Sequence, residues 1–212
     1  MQKPFTSYNP WFLIPLSIWL VAGGILIYSA GDETIFRFIN QHHTPSLDII
    51  MYYSTMLGEG MVIALVLLVL LGKNGLRNWW YFTAALLSAV LPSVITQLVK
   101  RSIDAPRPLK FFGEADWIHL LPHWPRHMEH SFPSGHTCGA FAFFTFLAIL
   151  LPARYRVWGL LLFVLAMLVA YSRIYLAVHF MRDVYAGSIL GGGFTLLVVA
   201  LMNRYQAAFF KK

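Results

Sequence analysis

Long apolar runs constrain this chain more than any other feature. Residues 11–30, 46–71, 76–99, 137–151, 157–171 and 184–202 consist mainly of aliphatic and aromatic side chains. A helix rises about 1.5 Å per residue, so roughly 20 such residues cross a hydrocarbon core of about 30 Å. Of the 212 residues 58% are hydrophobic and 12% charged, and the mean hydropathy is +0.62. No polar domain separates the runs, so the expected architecture is all-α, a single integral-membrane domain over residues 1–212 with six transmembrane helices. The first 30 residues lack a basic n-region followed by a short apolar stretch and a small-residue cleavage site, so residues 11–30 read as a retained span.

The segments between the runs are more varied. Residues 31–43 place Asp32, Glu33 and Arg37 among Ile35, Phe36, Phe38 and Ile39, which suits a short interfacial helix or a simple connection. Gly58-Glu59-Gly60 interrupts the outer half of span two. Residues 100–131 form a long polar loop in which Pro106, Pro108, Pro122 and Pro125 argue against a continuous helix. Gly187, Gly191, Gly192 and Gly193 give span six a small face for close packing. Cys138 is the only cysteine, so no internal disulfide forms, and it reads as a small packing residue.

Charge sets the expected orientation. With alternating spans, one side carries Lys3, Lys73, Arg77, Arg154, Arg156, Arg204, Lys211 and Lys212 and no acid, while the other carries the remaining basic residues and all nine acids. The positive-inside rule makes the first side cytoplasmic, with both termini on it. The net charge of +7 then reflects topology, and nucleic-acid binding has little support.

Three polar segments fall on the outer side. In the first, Lys100 and Arg107 offer donors suited to phosphate, arginine through a bidentate fork and lysine as a compact charge; alone they also read as a snorkelling patch. In the second, Pro133-Ser134-Gly135-His136 shapes a turn whose backbone N–H groups open a helix and favour an anion; alone it also reads as an ordinary N-cap. In the third, Ser172-Arg173 precedes His179 and Asp183, whose spacing of four puts them on one helix face. A carboxylate beside an imidazole prepares it as nucleophile or base, or forms a structural pair.

Together these segments resemble the three-part signature of the type 2 phosphatidic acid phosphatase superfamily in order, in internal spacing and in position at span boundaries. The resemblance implies a membrane lipid phosphatase in which His179 is the nucleophile, forming a phosphohistidine, and Asp183 orients it. His136 is implied as general acid and then base. Lys100, Arg107 and Arg173 are implied to hold the phosphoryl oxygens, with the Ser134 hydroxyl and the Gly135 N–H. Three cations would stand where many phosphotransfer enzymes place a metal, so no metal and no cofactor are expected. The expected partner is a lipid substrate in the bilayer, with no obligatory protein partner, and a lateral opening between spans should admit its tails. Phosphatidic acid, phosphatidylglycerol phosphate, undecaprenyl pyrophosphate and a lipid A phosphate all fit. The resemblance also implies a bacterial inner membrane with the site facing the periplasm.

Some features lie outside the signature. Glu59 is an acid inside a span, which suits a site near the substrate headgroup or a cap for the break at Gly58 and Gly60. His119, His123, His127 and His130 recur at metal-like intervals, but Pro122 and Pro125 break the helix this needs, and a wet interfacial loop is the better reading. Two other functions remain: a phosphotransferase passing phosphate to a second lipid, and a channel with a basic vestibule, for which the spans offer few polar residues.

Overall fold

The computed structural model describes residues 8–73, 76, 79–113 and 115–209. Lys3, Arg77, Lys211 and Lys212, which contribute to the expected orientation, lie outside the described residues. The regular structure of the described residues is all helical, with no strand.

Helix α1 (Pro10–Ala30) starts where Asn9 accepts a hydrogen bond from Trp11 N and Pro10 takes the first turn, where no N–H is missed. Asn9 also donates to the Ala148 and Arg156 carbonyls at 3.2 and 3.0 Å. One cap thus pins this end of α1 to the far end of the bundle's central helix. The expected interfacial segment is a helix, α2 (Asp32–Gln41), with Ile35 and Phe36 buried and Phe38 exposed. Span two is a broken pair, α3 (Pro45–Met56) and α4 (Gly60–Leu71), bent by 59° at the Gly58-Glu59-Gly60 interruption.

α5 (Trp79–Ile103) continues beyond the expected boundary at residue 99, so Lys100 lies in its last turn and not in the loop. The following loop holds one short helix, α6 (Pro108–Phe111). α7 (Gly135–Leu150) is the central post: Thr137, Ala140, Phe141 and Phe146 are at most 1% exposed, and α5, α8 and α9 pack around it. α8 (Trp158–Tyr175) and α9 (Met181–Phe209) both extend past the expected ends at 171 and 202. Ser172 and Arg173 therefore sit in the last turn of α8.

By length and composition α1, α5, α8 and α9 are each able to cross a membrane, the α3–α4 pair makes a fifth span if taken together, and the 16-residue α7 is shorter. The outward side chains of α1, including Ile14, Ile18, Val21 and Ile25, are more than 60% exposed, which only lipid accommodates at such density. The small face of α9 works as expected at Gly187 and Gly191. A Cβ on Gly191 would stand 2.1 Å from the Cys138 carbonyl oxygen, and one on Gly187 would stand 2.7 Å from that of Ser134. Backbone-to-backbone contact here is what brings α9 against the start of α7. Cys138 itself is buried and free.

Candidate active site

The nucleophile candidate lies between α8 and α9. Helix α8 ends at Tyr175, Ala177 adopts φ 55°, and the N–H groups of Val178 and His179 both return to the Arg173 carbonyl at 3.1 Å. This tight reversal leaves His179 2% exposed, one turn before Asp183 in the first turn of α9. His179 Nδ1 lies 3.3 Å from Asp183 Oδ2. The same oxygen accepts from Ser131 Oγ at 2.5 Å and from Phe180 N at 2.9 Å. A buried carboxylate with these donors is fixed as an acceptor, so it sets the protonated nitrogen of His179 as Nδ1 and leaves Nε2 with its lone pair.

The other two segments join this pair through the backbone. Ser134 N donates to the Asp183 carbonyl at 2.9 Å, and the Ser134 hydroxyl accepts from Thr137 N and Oγ1 at 3.4 and 2.9 Å as the N-cap of α7. The capping alternative for Ser134 is therefore present in the structure. Its own hydroxyl hydrogen remains to be donated. Gly135 and His136 form the first turn of α7.

Loop residues 104–107 run beside 128–131, held by Arg107 N to Met128 O at 2.9 Å and Ser131 N to Ala105 O at 2.8 Å. This neck fixes Arg107, whose guanidinium donates to the Glu129 carbonyl at 2.7 Å and to the Val178 carbonyl at 3.4 Å. Lys100 Nζ donates to the His130 carbonyl at 2.7 Å. Arg173 is 4% exposed, its Nη1 meets Thr55 Oγ1 at 2.5 Å, and its Nε has no hydrogen-bond partner among the described residues. An unpartnered buried guanidinium N–H is costly and suits a site made for an anion.

Electrostatics follows from this crowding. Burial, reinforced by Arg107, Arg173, Lys100 and His136, holds the His179 imidazole well below its ordinary range, so the ring is neutral at neutral pH. Burial also lowers Arg107, partly offset by Asp183. His127 is lowered by burial and then by the same three cations.

All of Lys100, Arg107, Ser134, Gly135, His136, Arg173, His179 and Asp183 thus gather at one end of α7. Glu59 joins them: its Oε2 lies 2.8 Å from His136 Nε2. Three participants were not legible as motifs. Ser131 precedes the second segment and Thr55 lies at the end of α3, and neither has a local signal; His127 shows only the repeating histidines. That repeat does not converge. His119 pairs with Asp48 at 2.8 Å and His130 with Asp104 at 2.9 Å, and among the described residues no group of three His, Cys, Asp or Glu is placed to hold a metal.

The site is thus a buried imidazole–carboxylate pair among three cations, at one end of an apolar helical bundle. Residues 77–207 match the PAP2 superfamily, and the chain belongs to it. It is 28% identical over 206 residues to an undecaprenyl-diphosphatase of Sulfolobus acidocaldarius, with 92% of each chain covered. It is 31% identical over 125 residues to a lipid A 1-phosphatase of Rhizobium etli, covering 59% of this chain and 52% of that one, so it spans about half the length of that relative. The crystal structure of LpxE from Aquifex aeolicus superposes with a TM-score of 0.67 at 28% identity, over 80% of this chain and 94% of that one. The chain is an integral membrane protein.

Proposed function

We infer that the chain is a membrane lipid phosphatase that removes a terminal phosphate from a lipid phosphate or pyrophosphate through a phosphohistidine. The observation that carries this reading is the His179–Asp183 pair, buried among Lys100, Arg107 and Arg173 and adjoining an apolar groove. The groove has a volume of about 750 Å³, is lined by α4, α5 and α7, and has Glu59 and His136 at its polar end. Ile63, Leu67, Leu86, Val90, Val94 and Phe143 line its remainder, which suits hydrocarbon tails whose phosphate reaches the cations.

The neutral Nε2 of His179 attacks phosphorus as the bond to the leaving oxygen breaks. His136 gives that oxygen a proton. Water then attacks the phosphohistidine, His136 takes its proton, the P–N bond breaks, and inorganic phosphate leaves. Asp183 holds the His179 ring and stabilises its positive charge. Lys100, Arg107 and Arg173, with the Ser134 hydroxyl and the Gly135 N–H, hold the equatorial oxygens, where charge is spread during transfer. Three fixed cations on those oxygens supply the stabilisation a divalent metal gives elsewhere, so turnover in chelator is expected.

The topology proposed for this function counts α1, the α3–α4 pair, α5, α7, α8 and α9 as six spans of one domain. Lys73, Arg154, Arg156 and Arg204 then lie opposite the active site, which by the positive-inside rule faces the periplasm of a bacterial inner membrane. Phosphatidic acid, phosphatidylglycerol phosphate, undecaprenyl pyrophosphate and lipid A phosphates are the candidate substrates, and no obligatory protein partner is proposed.

The test is phosphate release by purified protein in detergent, each lipid supplied in turn with chelator. Release without an acceptor lipid is expected. Transfer occurring only to a second lipid, or complete loss of activity in chelator, overturns the reading.

A further inference from the structure

The break in span two delivers two side chains to the site, four residues apart. Thr55, near the end of α3, meets Arg173, and Glu59, at the start of α4, meets His136. The Glu59 backbone is the N-cap of α4, yet its side chain makes no capping bond there and turns to the imidazole. The contact is built. A Cβ on Gly58 would stand 2.8 Å from the His136 carbonyl oxygen and 2.7 Å from Val169, so the break lies directly against the first turn of α7 and against α8. Only glycine permits that approach.

We propose that Glu59 is the positioning residue for His136, forming a second imidazole–carboxylate pair that serves the acid–base step as Asp183 serves the nucleophile. The proposal rests on the reading of His136 as acid and base. In that cycle His136 must give a proton to the leaving oxygen and later take one from water, so it alternates between charged and neutral forms. The charged groups of other elements that act on the ring are Arg173 of α8, Lys100 of α5, and Arg107 and His127 of the loop, all of them basic. A carboxylate at 2.8 Å supplies the opposite charge, fixes the tautomer and stabilises the imidazolium each time it forms. Glu59 also lies near enough to Arg173 to bear on its charge, so one carboxylate balances two groups on the groove side of the site. Its side chain is 49% exposed and lines the groove proposed to admit the substrate. The expected signature is therefore kinetic.

The experiment compares Glu59→Gln, Glu59→Asp, His136→Ala and the double variant Glu59→Gln/His136→Ala in detergent. The substrates are short-chain phosphatidate and p-nitrophenyl phosphate. General acid–base catalysis contributes about 10²–10⁴-fold, so removing the charge on its partner should lower kcat on phosphatidate about 10-fold or more, with KM little changed. Glu59→Asp should recover part of the loss. The first-turnover release of p-nitrophenolate, whose leaving group needs no acid, should be retained. In the His136→Ala background, Glu59→Gln should cost nothing further, because the two act as one unit.

If Glu59→Gln raises KM and spares kcat, the side chain contacts the headgroup and the proposal fails. It also fails if the effects of Glu59→Gln and His136→Ala multiply, or if Glu59→Gln is silent while His136→Ala is impaired; in both cases the phosphatase reading stands. A silent His136→Ala removes the acid–base assignment and this proposal together.

Discussion

Ser131 Oγ lies 2.5 Å from Asp183 Oδ2 and 3.4 Å from His179 Nδ1, so a residue outside all three motifs holds the carboxylate on which the proposed nucleophile depends. Asp183 is fully buried, and a buried acceptor that loses a donor costs about 1–3 kcal/mol. Ser131→Ala should lower the thermal midpoint in detergent and reduce kcat severalfold, with KM nearly unchanged. Ser131→Thr should keep most of both. An alanine variant as active as the parent protein would show that the Phe180 N–H alone suffices.

The nucleophile assignment makes a sharper prediction. His179→Ala should eliminate turnover by at least about 10³-fold, and trapping with ³²P-labelled substrate under alkaline quench should recover no phosphoprotein. His136→Ala should still accumulate phosphoprotein from a substrate with a good leaving group, because its second step lacks a base. Parent-level turnover in His179→Ala would require another nucleophile.

The pH response follows from the two depressed histidines that lie outside the helical spans. His179 and His127 are both held below 6.5 by burial, then by the neighbouring cations. In the unfolded chain they take up protons as pH falls through 6.5, and in the folded chain only at lower pH. The unfolded state thus binds more protons in that window, and stability falls with decreasing pH there. The thermal midpoint should be flat above about pH 7 and decline towards pH 5. Phosphoenzyme formation should persist below 6.5 because the attacking ring is still neutral.

Helix approach is open to a paired test. Gly191→Ala forces a methyl to within 2.1 Å of the Cys138 carbonyl oxygen, whereas Gly193→Ala meets nothing within 4 Å. Overpacking costs about 1–3 kcal/mol, so the first variant should lose stability and activity together by displacing α7 from α9. The second should match the parent in thermal unfolding and phosphate release.

The apolar runs made the helices legible because lipid leaves few alternatives for a backbone. Helix ends were less so. Lys100, Ser172 and Arg173 all lie in final helical turns that a hydropathy boundary cuts off too early, since charged side chains at a buried site end the apolar run before the helix ends. Gly58-Glu59-Gly60 marked a break, but its 59° bend and the pairing of Glu59 with His136 depend on where α7 and α8 stand. Ser131 and Thr55 carry no local pattern at all. Their partners are 52 and 118 residues away, and only the folded bundle brings them together.

The neck between residues 104–107 and 128–131 has a consequence for how such a protein can diversify. It closes beneath the intervening stretch, fixing Arg107 and Ser131 by hydrogen bonds made on the site side of the loop. The intervening stretch is itself tied down, since Leu109 and Ile118 enter the core, Phe111 and Phe112 pack on Phe180, and His119 binds Asn40 and Asp48, so sequence change there is confined to its exposed positions. Change at those positions leaves the hydrogen bonds that hold Arg107 and Ser131 in place.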